Sequence, residues 1–230
     1  MPYRAVVFDA YGTLFDVYAM GVLAEQLYPG HGTAISNLWR DKQIEYTRLI
    51  SLSDPHAPTG SRHYQPFWVL TRLSLRYTLA RLGLANSAEN EDALMAQYKH
   101  LPPFAENLEV LRALKQRGVT TAILSNASPD MLHAAVAHAD MTEWLDLVLS
   151  VDGIRQFKTT PASYALVRQA LPGLDSKDIL FVSSNAWDVL GATWYGLDTL
   201  WVNRQGLPPE AIGPSPTHTG SQLGAVLPLV

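Results

Sequence analysis

Five short, mainly apolar runs occur along the chain, and each is typical of a strand buried on both faces of a parallel sheet. They span residues 5–8, 121–124, 145–149, 179–182 and 199–202. Helical signals lie between them. Residues 106–117 carry leucines at helical spacing, and residues 129–138 and 161–170 open with proline after Ser128 and Thr160 as candidate caps. Strands that alternate with helices predict an α/β fold with right-handed crossovers.

The segment between the first two runs has a different pattern. From about residue 17 to residue 101 the apolar positions follow helical spacing, and no run typical of a buried strand interrupts them. We therefore expect a helical domain, residues 16–97, inserted into an α/β core formed by residues 1–15 and 98–230. Such an insertion places a cleft between two domains, and clefts of this kind are favoured ligand sites.

The two ends of the chain carry weaker signals. The first apolar run is too short for a secretory signal, and no run approaches the roughly 18 residues that cross a bilayer. We therefore expect a cytoplasmic protein without a membrane partner. Residues 205–219 are rich in Pro and Gly and predict a loop, which leads to a short helix around Leu223 and Val226.

Composition excludes several classes of protein. Hydrophobic residues make up 47% of the 230 residues, so the chain can bury enough apolar surface to fold. The formal net charge of −4 does not suit a nucleic-acid binder, which needs a basic stripe for the phosphate backbone. Because cysteine is absent, disulfide scaffolds, thiolate zinc sites, iron–sulfur clusters and cysteine nucleophiles are excluded.

Polar side chains collect after four of the runs. In chain order they are Asp9 and Thr13, Ser125 and Asn126, Lys158, and Ser183, Asn185 and Asp188. Because the carboxyl ends of parallel strands meet at one edge of a sheet, we expect these groups to converge there. Taken one at a time, Ser, Asn and Asp also cap helices and close turns, and a loop lysine is usually solvated. The complete set, with a lysine, favours a ligand or reaction site.

Four segments resemble the motifs of the haloacid dehalogenase superfamily, in the family's order. They are residues 8–14 (FDAYGTL), residues 124–126 (LSN), Lys158, and residues 183–188 (SSNAWD). The helical insertion after the first strand resembles the family's cap. The resemblance implies a Rossmann-like parallel-sheet core with an inserted helical cap.

Most members of this superfamily transfer phosphoryl groups, and two positions here depart from their pattern. Their general acid/base is an Asp two residues after the nucleophile, where this chain has Tyr11, whose phenol with a pKa of about 10 is a poor acid at neutral pH. Their magnesium site uses acidic residues of the fourth motif, where this chain offers Asn185 and only Asp188 as an acid. We therefore expect no metal and no cofactor.

The runs DAYGTL and SSNAWD, together with Arg40, residues 43–47 and Tyr164 six residues after Lys158, resemble the L-2-haloacid dehalogenase branch. That resemblance implies hydrolysis of a short L-2-haloalkanoate to the D-2-hydroxyalkanoate, with release of halide. Asp9 would form an ester with C2 and invert that centre. A superfamily phosphatase, a hydrolase of a related non-halogenated carboxylic acid and a non-catalytic binder stay open as alternatives.

The same resemblance implies a role for each residue. Asp9 attacks, Arg40 receives the halide, Lys158 steadies Asp9 and Asp188, and Asp188 helps to activate water. The oxygens of Asp9 are oriented by Thr13, Ser183 and Asn185, Ser125 holds the substrate carboxylate, and Tyr164 completes the catalytic set. The pocket is walled by Tyr11, Asn126, Phe67 and Trp187. Arg40 could instead be a surface arginine and Phe67 and Trp187 plain core residues. The cap, rich in Leu and aromatic residues, is a candidate homodimer surface.

Overall fold

A six-stranded, wholly parallel sheet forms the centre of the protein in the computed structural model, which describes residues 2–230. The strand order is β3-β2-β1-β4-β5-β6. The strands are β1 (Ala5–Phe8), β2 (Thr120–Ser125), β3 (Leu147–Ser150), β4 (Ile179–Ser183), β5 (Asp198–Val202) and β6 (His218–Gly220). The two central strands, β1 and β4, consist wholly of buried residues, which is the expected result of an apolar run without alternation. The predicted α/β fold class is confirmed.

Helices cover the sheet, as the alternating pattern predicts. They are α5 (Asn107–Gln116), α6 (Pro129–His138), α7 (Pro161–Ala170) and α8 (Ala186–Tyr195). Ser128 and Thr160 occupy the N-cap positions of α6 and α7, but neither side chain makes a capping hydrogen bond. The Thr160 hydroxyl instead donates to the carbonyl oxygen of Phe157, at 3.0 Å. Proline at the first helical turn already lacks one of the amide protons that a cap would satisfy.

Four further helices stand between β1 and α5. They are α1 (Met20–Leu27), α2 (Gly32–Ser53), α3 (Phe67–Arg81) and α4 (Ala88–Tyr98). In the middle of this group α2 packs along α3, and a hydrogen bond of 2.8 Å from Trp39 Nε1 to the carbonyl oxygen of Thr71 joins them. We call α1–α4 the cap helices; the domain boundaries at residues 16 and 97 stay a prediction. Within residues 2–230 no helix has the length and apolarity required to span a membrane.

The carboxyl-terminal part differs from the sequence-based expectation. The predicted loop 205–219 overlaps β6, whose His218 pairs with Leu200 of β5. This strand has only three residues, lies at the sheet edge and contains no apolar run, so the pattern that identifies buried strands could not find it. The short helix that follows is a 3-10 helix, Leu223–Leu229.

Candidate active site

The Asp9 carboxylate lies directly after β1, at the edge of the sheet where the strands end. It is only 5% exposed, and its oxygen Oδ2 accepts hydrogen bonds from three side chains. The donors are Asn185 Nδ2 at 2.7 Å, Thr13 Oγ at 3.1 Å and Ser183 Oγ at 3.4 Å. These contacts hold the plane of the carboxylate in one orientation, and they use Oδ2 almost to its capacity as an acceptor.

Backbone amides determine which way the two hydroxyl groups point. The Ser184 amide donates to Thr13 Oγ at 2.8 Å, and the Asn185 amide donates to Ser183 Oγ at 3.1 Å. Since each hydroxyl oxygen already accepts a hydrogen bond, its own O–H group is free to donate to Asp9. The turn that leads from β4 into α8 therefore supplies donors of fixed direction.

A buried lysine joins Asp9 to a second carboxylate. Lys158 Nζ lies 3.0 Å from Asp9 Oδ1 and 2.7 Å from Asp188 Oδ2, and the lysine is 1% exposed. Burial alone would lower the pKa of Lys158, but the carboxylates of Asp188 and Asp9 outweigh it, and the pKa lies above its usual value. Burial raises the pKa of Asp188, the negative charge of Asp9 adds to this shift, and the Lys158 ammonium group opposes it. The ammonium group stays charged.

The other oxygen of Asp188 is also engaged. Tyr164, fully buried on α7, donates its hydroxyl proton to Asp188 Oδ1 at 2.7 Å. Burial, with the nearby negative charge of Asp188, raises the pKa of Tyr164 well above its usual value, so it stays protonated. Helix α8 can approach this closely because residue 191 is glycine: a Cβ atom there would lie 2.4 Å from the Tyr164 oxygen.

Arg40 reaches this site from α2 in the cap helices. Its Nη2 atom donates to the carbonyl oxygen of Tyr11 at 3.0 Å and lies 3.4 Å from Asn185 Oδ1. Its Nη1 atom donates to Gln43 Oε1 at 2.8 Å. The arginine is half-buried and bridges the cap helices to the loop after β1. It is therefore not a solvated surface residue.

Aromatic side chains surround the loop after β1. The Tyr11 ring stacks on Tyr98 with centroids 5.5 Å apart, and lies 6.2 Å from the ring of Phe67. Phe67 is buried and also lies 6.4 Å from Phe157. Trp187, in the first turn of α8, is half-buried, and the guanidinium group of Arg48 lies over its ring at 5.3 Å. Phe67 and Trp187 thus lie where cap helices and core meet.

Ser125 is the last residue of β2, which lies beside β1, and Asn126 follows it. The Ser125 hydroxyl oxygen accepts the amide proton of Ala127 at 3.2 Å, and the residue is buried. Asn126 does not cap a helix. Its Oδ1 atom accepts the backbone amide proton of Lys158 at 2.9 Å, so it fixes the loop that carries the lysine. The structure thus places every predicted site residue at this sheet edge or at the cap helices facing it, while their individual roles stay predictions.

A cavity of about 620 Å³ opens beside Lys158, between the carboxyl-terminal half of α2 and the start of α7. Arg48 and Leu52 line it from the cap side, and Gln156 and Thr160 line it from the core side. An opening of this size admits a small organic acid.

Comparisons with known proteins agree with this geometry. The model of the haloacid dehalogenase-like hydrolase family matches residues 3–196. The chain belongs to this family. The "(S)-2-haloacid dehalogenase" of Pseudomonas sp. (strain YL) is 43% identical over 226 residues, which cover 98% of this chain and 94% of that protein.

Solved structures extend the match of this haloacid dehalogenase-like hydrolase to the whole fold. A crystal structure of an L-2-haloacid dehalogenase superposes with a TM-score of 0.94 at 51% identity, covering 99% of this chain and 98% of the other. The L-2-haloacid dehalogenase from Xanthobacter autotrophicus with chloropropionic acid covalently bound gives a TM-score of 0.87 at 37% identity, with 99% and 98% coverage.

A divalent metal ion, which phosphoryl-transferring members of the superfamily hold at this position, does not fit the residues of this hydrolase. Asn185, which replaces an acid of the fourth motif, turns its Nδ2 donor to Asp9 Oδ2 at 2.7 Å, and a donor group cannot serve as a metal ligand. Among residues 2–230 no three His, Asp or Glu side chains are grouped as metal ligands. We therefore derive no step through a metal ion.

Sequence reasoning missed two buried polar residues that support the site of this hydrolase. Gln43 and Tyr98 contact each other at 3.1 Å, and Gln43 also contacts Arg40. The available signal was the position of Gln43, three residues after Arg40 and therefore on the same helix face. A polar residue on a helix face that is otherwise buried needs a hydrogen-bond partner.

We expect the Tyr164→Phe substitution to raise the pKa of Asp188 by about 1–2 pH units, because a hydrogen bond to a charged group is worth about 1.5–3 kcal/mol. The sign follows from the donor: Tyr164 stabilises the ionised carboxylate, and its removal favours the protonated one. Titration of the Asp188 carboxyl carbon by NMR measures the change. Tyr195→Phe, whose ring packs 6.0 Å from that of Tyr164, is the matched control. An unchanged titration in Tyr164→Phe would contradict the assignment.

Proposed function

We propose that this protein hydrolyses short L-2-haloalkanoic acids to D-2-hydroxyalkanoic acids and halide, through an ester on Asp9 with inversion at C2. The observation that carries the proposal is the pairing of a rigidly held Asp9 carboxylate with a buried lysine. Relatives named (S)-2-haloacid dehalogenase and a structural neighbour with chloropropionic acid covalently bound support it. A carboxylate is a suitable nucleophile for an sp³ carbon that carries a halide.

The hydrogen bonds at Asp9 favour one oxygen as the nucleophile. Oδ2 accepts three hydrogen bonds, whereas Oδ1 accepts one, from Lys158. Oδ1 therefore has free lone pairs with which to attack C2 from the side opposite the halide, which inverts the centre. Oδ2 becomes the carbonyl oxygen of the ester, and the donors that surround it polarise that carbonyl group.

Electrostatics explain why the site contains two cationic groups, Lys158 and Arg40. The substrate is an anion, and at 4 Å its repulsion from Asp9 is about 4 kcal/mol at an effective dielectric constant of 20. Lys158 lies within 3.0 Å of Asp9 and offsets part of this cost. Arg40 receives the negative charge of the departing halide, and the Ser125 hydroxyl with neighbouring amides holds the substrate carboxylate. Tyr11, Asn126, Phe67 and Trp187 shape the space around the carbon chain.

Hydrolysis of the ester then uses the second carboxylate. Once Asp9 is esterified its charge is gone, and the Lys158 ammonium group pairs with Asp188 alone. Asp188, held by Lys158 at 2.7 Å and by Tyr164 at 2.7 Å, accepts a proton from the attacking water. Burial, which raises the pKa of Asp188, persists in the ester and favours proton uptake by this carboxylate.

The phosphatase alternative fits the geometry less well. Burial raises the pKa of Tyr11, so a phenol that is already a poor acid becomes a poorer one. Asn185 stands where a phosphatase would use an acid to hold its metal ion, and its Nδ2 atom donates to Asp9 Oδ2 at 2.7 Å. A hydrolase of a related non-halogenated carboxylic acid, acting through the same nucleophile, would release neither halide nor phosphate.

We also propose that two copies associate through the cap helices, and that the protein acts in the cytoplasm. Leu49 and Leu52 of α2 and Leu73 and Tyr77 of α3 are partly exposed, and the neighbouring rings of Tyr46 and Tyr77 lie 6.5 Å apart. Exposed apolar faces of this kind often form interfaces.

Light scattering is expected to give a dimer mass, twice the 25.4 kDa of one chain, that Leu52→Glu with Leu73→Glu reduces to the monomer mass. The control is Leu207→Glu, at an exposed position of the α/β domain away from the cap helices. A wild-type monomer at all micromolar concentrations would exclude this dimer.

The activity is tested by following chloride release from L-2-chloropropionate in the presence of EDTA. We expect steady release from the L enantiomer and none from the D enantiomer, since backside attack by a fixed carboxylate accepts one hand of the substrate. Asp9→Asn should reduce chloride release to background while circular dichroism shows a folded protein, and Asp140→Asn, at an exposed position, should leave chloride release unchanged. Magnesium-dependent phosphate release from a phosphomonoester, with no halide from any short haloacid, would show a phosphatase instead.

A further inference from the structure

We propose that Gln43 is a positioning residue that orients the Arg40 guanidinium group through a neutral acceptor, so that its full positive charge is available to the departing halide. The inference rests on the proposed function, in which Arg40 receives the halide. Gln43 is 1% exposed and lies on α2, one turn after Arg40.

Gln43 connects Arg40 to two other cap helices. Its Oε1 atom accepts hydrogen bonds from Arg40 Nη1 at 2.8 Å and from the Tyr98 hydroxyl of α4 at 3.1 Å. Its Nε2 atom donates to the Thr71 hydroxyl oxygen of α3 at 2.6 Å. A buried amide with these partners cannot move without leaving polar groups unsatisfied, which costs about 1–3 kcal/mol for each group.

Thr71 decides which end of the amide faces Arg40. Its hydroxyl donates its single proton to the carbonyl oxygen of Phe67 at 2.8 Å, so towards Gln43 it can only accept. The NH₂ group of Gln43 must therefore face Thr71, and the carbonyl oxygen must face Arg40. The carbonyl oxygen of Thr71 also receives the Trp39 indole proton at 2.8 Å, which fixes α3 against α2 at this level.

The partners of Arg40 are all neutral. They are the amide oxygen of Gln43, the carbonyl oxygen of Tyr11 and the amide oxygen of Asn185. Within residues 2–230 no Asp or Glu forms an ion pair with Arg40. By contrast, Arg72 and Arg76 of α3 both pair with Glu91, which offsets the charges of these two arginines.

A glutamate at position 43 would pair with Arg40 and cancel the charge that the halide needs. It would also place a carboxylate oxygen against Thr71 Oγ, whose proton is already committed to Phe67. A glutamine orients the guanidinium group and leaves its charge intact. This explains why the acceptor at position 43 is an amide.

The test is a double-mutant cycle with two leaving groups. Gln43→Leu is expected to lower kcat for L-2-chloropropionate about 10- to 100-fold, the effect of one lost hydrogen bond to a charged group. The loss should be smaller for L-2-bromopropionate, because bromide leaves more readily and needs less support. In an Arg40→Ala background, assayed with the bromo acid, Gln43→Leu should change kcat by less than about 2-fold, since residues that act through one another are not additive.

Further variants separate positioning from packing. Gln43→Glu should also lower kcat with the chloro acid. Thr71→Val should lower kcat less than Gln43→Leu does. Thr71→Ser should have the wild-type kcat, because serine keeps the hydroxyl group. Equal losses with chloro and bromo acids, or a full loss in the Arg40→Ala background, would overturn the proposal and assign Gln43 a structural or independent role. Circular dichroism and the unfolding midpoint verify that each variant folds.

The orienting contact between Gln43 and Arg40 can also be tested without substrate turnover, and therefore independently of the proposed function. In ¹⁵N NMR, rotation of the Arg40 guanidinium group about its Nε–Cζ bond should be slow in the wild type and faster in Gln43→Leu. Equally slow rotation in both proteins would overturn the positioning role, even where halide release is observed. If the wild type releases no halide but the rotation changes as expected, the proposed function fails and the orienting contact stands.

Discussion

The buried ammonium group of Lys158, placed between the carboxylates of Asp9 and Asp188, is the interaction on which the rest of the site depends. Each of these groups would be costly to bury alone, and a single cation for two anions leaves one negative charge uncompensated. Hydrogen bonds stabilise the two carboxylates in addition: Asp9 Oδ2 accepts three, and Asp188 Oδ1 accepts one from the Tyr164 hydroxyl. These contacts draw together β1, β4, α7, α8 and the loop after β3.

The lysine also determines which chemistry the site can perform. Lys158 offsets part of the charge of both carboxylates and leaves Asp9 Oδ1 with a single hydrogen-bond donor. Attack at carbon needs a nucleophilic oxygen with free lone pairs and a cation for the leaving group. In the proposed reaction Arg40 is that cation, held by neutral partners and carried by helix α2.

Much of this arrangement could be predicted from the chain, for a physical reason. Strands buried on both faces need continuous apolar residues, and the carboxyl ends of parallel strands meet at one edge, so Asp9 and Asp188 could be placed together from sequence alone. The Gln43 contacts could not, because they join residues 28 and 55 positions apart through side-chain geometry. Strand β6 could not be predicted, because a three-residue edge strand has no hydrophobic pattern. Ser128 and Thr160 correctly indicate where α6 and α7 begin, but their side chains make no capping hydrogen bond.

The central claim is that Asp9 forms a covalent ester which water attacks at the carbonyl carbon. One turnover of excess enzyme with L-2-chloropropionate in ¹⁸O water tests it most directly, by mass spectrometry of the product and of the peptide that contains Asp9. The expected result is an unlabelled D-2-hydroxy acid, with ¹⁸O in the Asp9 carboxylate. An ¹⁸O label in the first-turnover product, with Asp9 unlabelled, would show direct attack of water on C2 and contradict the ester.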